Sequence, residues 1–169
     1  MKVVPMHSPN EGARPMSEAS LCYVVQDGRV LLIRKKRGVG AGKINGPGGK
    51  VEPGESLLES AVRETREEIG VTPLDLELRG ELTFDFVGAS VVRCGVFIAP
   101  RFEGELIETD EATPFWHSTD TLPYDEMWAD DREWLPLLLA GKCFRGRVRI
   151  EPGDRVHDIQ IAEIGAAEL

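Results

Sequence analysis

The sequence predicts an α+β fold, or a mixed β-sheet lying between helices, and three observations predict it. β-branched runs come in pairs divided by short turns, as in LCYVV and RVLLIRK on either side of Gln26-Asp27-Gly28. Residues 57–69 are amphipathic at the helical period and are bracketed by start and stop signals. A second apolar stretch, DDREWLPLLLAG at 130–141, reads as a helix capped by an aspartate. Antiparallel strands together with two helices belong to that class, and the chain contains no internal repeat.

Taken in order, residues 1–19 are rich in Pro, Ser, Gly and Ala without periodicity, and are expected to be a mobile tail ahead of a single domain at 20–169. The first hairpin follows. Residues 37–50, RGVGAGKINGPGGK, are dominated by glycine and predict a long shaped loop where backbone approaches a ligand closely. Ser56 and Glu59 have capping-box spacing, Pro53-Gly54 form a turn ahead of them, and Gly70 stands where a left-handed cap belongs. Residues 74–86 alternate as a strand, Gly88 interrupts, and residues 91–99 answer as its partner. Residues 115–117 add a short strand. Pro136 is expected to bend the second helix. A last hairpin turns around Glu151-Pro152-Gly153-Asp154.

Twenty basic against 29 acidic residues give a net charge of −9, which disfavours a general nucleic-acid binder, and no basic stripe or aromatic platform for a polymer is visible. The balance still allows one small polyanion where a cation or a local basic cluster reverses the field. Cys22, Cys94 and Cys143 are scattered and odd in number, so neither a disulfide framework nor a zinc site is indicated. No run is long and apolar enough for a membrane span and no signal peptide is visible; a cytoplasmic protein without membrane partners is expected.

On helix 57–69 the carboxylates Glu64, Glu67 and Glu68 fall within about a 100° arc. Leu58, Ala61, Val62 and Ile69 take a different face. Such an acidic face is either merely solvated or holds a hard divalent cation, which favours carboxylate oxygens and leaves positions for water and phosphates.

Read from Gly49, the chain gives five residues, Glu55, seven residues, then Arg63-Glu64-Thr65-Arg66-Glu67-Glu68-Ile69-Gly70-Val71. This resembles the box of the Nudix hydrolases, G-x5-E-x7-R-E-U-x-E-E-x-G-U with U apolar. All seven fixed positions match. Chance agreement at seven positions of ~6% frequency is roughly 10⁻⁹ per starting point. Thr65 is the departure at an apolar position, and its hydroxyl is expected to bond back to the Ala61 carbonyl.

The resemblance implies a mixed sheet sandwiched between helices and hydrolysis of a nucleoside diphosphate derivative. It implies Mg²⁺, with Mn²⁺ able to substitute, on Glu64, Glu67, Glu68 and the Gly48 carbonyl, with Glu111 as a further ligand. Arg63 and Glu55 would brace the loop against the helix, and Glu67 or Glu68 would be the general base. Beyond the box, KKRGVGAGKINGPGGKV, FDFVG, TDEATPFW and MWADDREWLPLLL are similar to the branch of the family that hydrolyses oxidised purine nucleoside triphosphates, such as 8-oxo-dGTP and 2-hydroxy-dATP. That likeness covers roughly residues 20–163.

It implies that Asn45, Asp130 and Asp131 read the base edge, that Phe84, Phe86 and Trp128 wall the pocket, and that Ser20, Lys35, Gly48, Gly49 and Lys50 contact the substrate. Alone, the aromatic residues would be core and Asp130-Asp131 a helix cap with its neighbour. Val39, Ile44, Pro47 and Val92 stand where bulkier residues are expected, which puts the pocket's shape in question. The alternatives are another nucleotide substrate (ADP-ribose, a dinucleoside polyphosphate or an ordinary dNTP) and a non-catalytic nucleotide sensor. Monomer and homodimer are equally compatible with the sequence.

Overall fold

A computed structural model describes residues 14–169; of the tail expected at 1–19, residues 1–13 lie outside the described residues. Strand β1 (Met16–Gln26) begins four residues ahead of the expected boundary at Ser20. Parallel pairing explains the extension: Met16 to Val24 run alongside Val91 to Ala99, so the chain before Ser20 already has a neighbour for its backbone.

The first hairpin forms as expected, β1 turning through Asp27 and Gly28 into β2 (Arg29–Lys35) with both turn residues at positive φ, 51° and 72°. Within the glycine-rich loop lie two short strands, β3 (Ile44–Asn45) and β4 (Gly48–Lys50). Helix α1 (Leu57–Ile69) has the predicted limits: Ser56 Oγ accepts from Glu59 N at 3.1 Å, and Gly70 takes the left-handed cap at φ 78°. Thr65 sits in its buried face and donates to the Ala61 carbonyl at 2.7 Å.

The single strand expected at 74–86 is two. Asp75, at φ 55°, separates β5 (Thr72–Leu74) from β6 (Glu77–Phe86). After β7 (Ser90–Ala99), the unforeseen β8 (Arg101–Glu103) pairs with β5 as a small separate sheet. Strand β9 (Ala112–Ser118) pairs along all of β2. Helix α2 (Asp131–Leu139) contains Pro136, and β10 (Cys143–Glu151) and β11 (Arg155–Ile164) make the final hairpin.

The main sheet runs β11-β10-β6-β7-β1-β2-β3, with β4 on β1 and β9 on β2; β1–β7 and β10–β6 are its parallel pairs. Strand β1 changes partner midway: Ala19 to Leu21 face β4, whereas Val25 and Gln26 face β2. Its alternate residues feed two cores. Cys22 and Val24 pack with Ala61 and Ile69 of α1, while Tyr23 packs with Trp134, Leu135 and Leu138 of α2. The sheet therefore lies between the helices, as the alternation requires.

Strand β10 also turns Arg145, Arg147 and Arg149 to one face, a basic row not recognised in the sequence. It is largely neutralised: Arg145 pairs with Glu81 at 2.9 Å and Arg147 with Asp85 at 2.9 Å.

The crossing of β6 and β10 has no room to spare. A Cβ at Gly80 would lie 2.2 Å from Cζ of Phe144, itself buried and stacked on Trp134 at 5.6 Å. Gly80→Ala should cost about 1–3 kcal/mol through overpacking. Denaturant unfolding should show a lower midpoint with an unchanged slope.

Candidate active site

Arg63 organises the turn into α1. Its Nε and Nη2 grip Glu55 Oε2 and Oε1 at 2.7 and 2.9 Å, a bidentate fork, while Nη2 also donates to the Lys50 carbonyl at 3.0 Å. Nη1 reaches Glu64 Oε1 at 2.9 Å and Glu67 Oε2 at 3.2 Å. The strand β4, the turn and the helix are thus tied at one cation. The fork holds the Glu55 carboxyl down at about 2, well below its ordinary range. This is the bracing arrangement the resemblance implied.

Beside it, ligand oxygens of Glu64, Glu68 and Glu111 lie within 4.8 Å of one another. Glu68 is 5% exposed, and its Oε2 is buried without a hydrogen-bond partner. Burial, followed by the negative charge of Glu64, pushes Glu68 up to about 8; the Lys35 cation and the Gly48 backbone work against that rise. Burial also raises Glu64. An all-oxygen set of crowded carboxylates with an orphaned oxygen fits a hard divalent cation.

Glu111 comes from a remote loop. Its N–H donates to Thr109 Oγ1 at 3.2 Å, and that hydroxyl donates to the Glu68 carbonyl at 2.7 Å. Glu67 is not part of this cluster; it is half-exposed and turned to Arg63. Gly48 pairs with Leu21, and a Cβ there would lie 2.0 Å from the Ser20 carbonyl. Gly49 is equally constrained, a Cβ falling 2.4 Å from Glu64 Cδ.

A second group lies on the α2 side of the sheet. Asn45 is held by Tyr23 Oη, which donates to its Oδ1 at 3.1 Å, and by Gly46 N at 2.8 Å. Asp130 and Asp131 are both buried. Asp130 does not cap α2: its backbone is helical, at φ −75° and ψ −22°, and its Oδ2 accepts instead from Trp134 Nε1 at 2.8 Å, leaving Oδ1 buried and unpartnered. Asp131 Oδ2 accepts from Trp128 N at 3.1 Å. Burial raises both carboxyls, Asp131 well above its ordinary range with the charge of Asp130 adding.

Lys43 Nζ stands 5.3 Å from the centre of the Trp128 ring, and Gly40 packs on the same indole. Phe84 lines the core holding Tyr23 and Trp134, and Phe86 is half-buried further along β6. Of the departures, Ile44 is buried in that core and Val39 is 64% exposed.

Ser20 is buried, its Oγ 2.9 Å from Ser60 Oγ between β1 and α1, so the side chain is occupied by the helix. Lys35 Nζ donates to the Val39 carbonyl at 2.7 Å, and Lys50 is exposed on β4. Tyr23, Trp134 and Thr109 were missed. Each reads in the sequence as an ordinary strand, core or loop residue, and only long-range pairing reveals its partner.

Two outcomes follow from this geometry. Gly49→Ala should push the Glu64 carboxylate aside and weaken binding of a divalent metal about 10- to 100-fold, measured by titration calorimetry, with metal-free unfolding close to wild type. The depressed Glu55 carboxyl contributes stability that is present above its ordinary value near 4.5 and lost as pH falls through about 2. Wild type should therefore lose stability more steeply across that window than Glu55→Gln, in thermal melts at successive pH values.

The chain is 43% identical over 146 residues to an oxidized purine nucleoside triphosphate hydrolase of Danio rerio, covering 86% of this chain and 94% of that protein. It is 38% identical over the same length and shares to the protein of that name from Mus musculus. A crystal structure of a MutT protein from Bacillus halodurans superposes with a TM-score of 0.77 at 29% identity, over 86% of this chain and 97% of that one. The NUDIX domain model matches residues 16–138, a span that runs from the first residue of β1 into the last turn of α2 and takes in both groups of side chains. The chain belongs to the NUDIX domain family and is a Nudix hydrolase.

Proposed function

We propose that the protein hydrolyses oxidised purine nucleoside triphosphates, 8-oxo-dGTP and 2-hydroxy-dATP, to the nucleoside monophosphate and pyrophosphate, and so clears damaged nucleotides from the precursor pool. The observation that carries the choice of base is the pair Asp130 and Asp131, two adjacent buried carboxyls beside Trp128 with burial favouring their protonated forms. A protonated carboxyl donates and an ionised one accepts, so the pair can meet the altered edges that oxidation creates on guanine or adenine. The names of the two vertebrate relatives support the same substrate class.

Glu64, Glu68 and Glu111 would hold Mg²⁺, for which Mn²⁺ could stand in. When bound, that cation supplies charge neutralisation at the phosphates and a more acidic water. Arg63 keeps Glu64 and the Gly48-Gly49 backbone in register, a positioning role. Glu67, outside the cluster and exposed, is the carboxylate left to accept the proton of the attacking water. Water adds to phosphorus as the anhydride between the α- and β-phosphates breaks, and the leaving pyrophosphate takes the electron pair. Lys35, at the end of β2, lies close enough to Glu68 for its charge to be felt there, and would assist at the phosphates.

A panel of 8-oxo-dGTP, 2-hydroxy-dATP, dGTP, dATP and ADP-ribose with Mg²⁺ should give the highest kcat/KM on the two oxidised purines, abolished by chelator. Asn45→Ala should reduce turnover of those two more than of a poor substrate. Preference for ADP-ribose would overturn this function and leave the family standing.

A further inference from the structure

Tyr23 is wholly buried in β1, beneath the glycine-rich loop and between the side chains assigned to the base. The loop backbone lies directly on its ring: a Cβ at Gly46 would fall 2.6 Å from Tyr23 Cζ. On the other side the ring meets Trp134 edge-on, with centroids 5.9 Å apart at 71°. Trp134 is the residue that holds Asp130 by its indole N–H. Neither the carboxylate cluster nor the Arg63 brace uses Tyr23.

An asparagine amide carries an acceptor at one end and two donors at the other, so its orientation decides what it recognises. The hydrogen-bond partners decide which end is which. The Gly46 N–H can only donate, and its bond to Asn45 Oδ1 at 2.8 Å fixes the oxygen end toward the protein. Tyr23 Oη supplies a second hydrogen to that same oxygen at 3.1 Å. Both lone pairs are then engaged. Burial, followed by the negative charge of Asp131, pushes the Tyr23 phenol well above its ordinary range, so the hydroxyl keeps its proton and remains a donor.

We infer that Tyr23 is a specificity-determining positioning residue: by occupying the Asn45 carbonyl oxygen it makes Asn45 a pure donor, and the pocket selects a purine that presents an acceptor to it. This rests on the reading that Asn45 faces the base. It also narrows that reading, since the amide no longer offers both a donor and an acceptor. Selectivity follows because a base presenting a donor there would meet the NH₂ group and leave both unpaired, a penalty an apolar wall cannot impose. A phenylalanine would keep the ring packing on Gly46 and Trp134 and remove only the second hydrogen bond.

The test compares wild type, Tyr23→Phe and Asn45→Ala as full chains with Mg²⁺ on 8-oxo-dGTP, 2-hydroxy-dATP, dGTP and dATP, together with ¹⁵N–¹H spectra of the nucleotide-free proteins. Tyr23→Phe should shift the Asn45 side-chain amide and the Gly46 backbone amide. It should also shrink the kcat/KM ratio between the best and poorest of the four nucleotides about tenfold, the change falling on KM rather than kcat. Unmoved Asn45 resonances or an unchanged ratio overturn the inference. So does an equal loss on all four accompanied by a lower Tm, which would make Tyr23 a packing residue. A ratio altered by Asn45→Ala but not by Tyr23→Phe removes the role of Tyr23 alone, whereas a ratio unaltered by Asn45→Ala removes the reading of the pocket beneath both.

Discussion

One guanidinium makes the acidic helix face tenable. Carboxylates three and four residues apart on a helix repel one another, and α1 gathers Glu64, Glu67 and Glu68 while the turn before it adds Glu55 and a remote loop adds Glu111. Arg63 touches three of these five and the Lys50 carbonyl besides. Its planar fork suits this role better than an ammonium would, since it grips one carboxylate bidentately and still has an edge for others. Glu55 and Glu67 are turned to the guanidinium, while Glu64 is shared between it and the crowded group it forms with Glu68 and Glu111. Concentrated negative charge at that point suits a divalent cation, through which a protein of net charge −9 would engage a polyanion.

The sheet determines where the two groups of functional side chains stand. Because alternate residues of β1 point to opposite faces, one strand serves both: Ser20 and Cys22 pack toward α1, while Tyr23 packs toward α2 and reaches Asn45. The change of partner from β4 to β2 partway along β1 lets the glycine loop cross over that strand. Glycine is required at Gly48 and Gly49 by close approach, the first against backbone and the second against the Glu64 carboxylate.

Much of this was legible in the chain. The hairpin at Asp27-Gly28, both ends of α1 and the Thr65 back-bond follow from local rules, and the Nudix motif located four of the acidic residues. What escaped depends on distant partners. No local pattern tells that Asp75 breaks a strand, because its positive φ is compensated by the pairing of β5 with β8. Asp130 has the composition of a cap, yet the indole of Trp134 competes successfully for its carboxylate. Ser20, at a substrate-contact position of the resemblance, shares a hydrogen bond with Ser60, forty residues away. Glu111, which the resemblance set beside the box, reaches Glu64 and Glu68 through Thr109, whose hydroxyl binds the last turn of α1.

The start of α2 bears on the proposed base-reading pair in a further way. Asp130 and Asp131 stand at the positive end of the helix macrodipole, equivalent to roughly half an elementary charge, and Asp130 gives the helix no side-chain cap to satisfy its first amides. That dipole favours the ionised carboxylate while burial favours the neutral acid. Two opposed fields of different origin meet on adjacent side chains, and burial is the stronger, since both carboxyls stand above their ordinary range. The pocket is in this sense an electrostatic balance, with the helix axis as one arm and the apolar walls as the other.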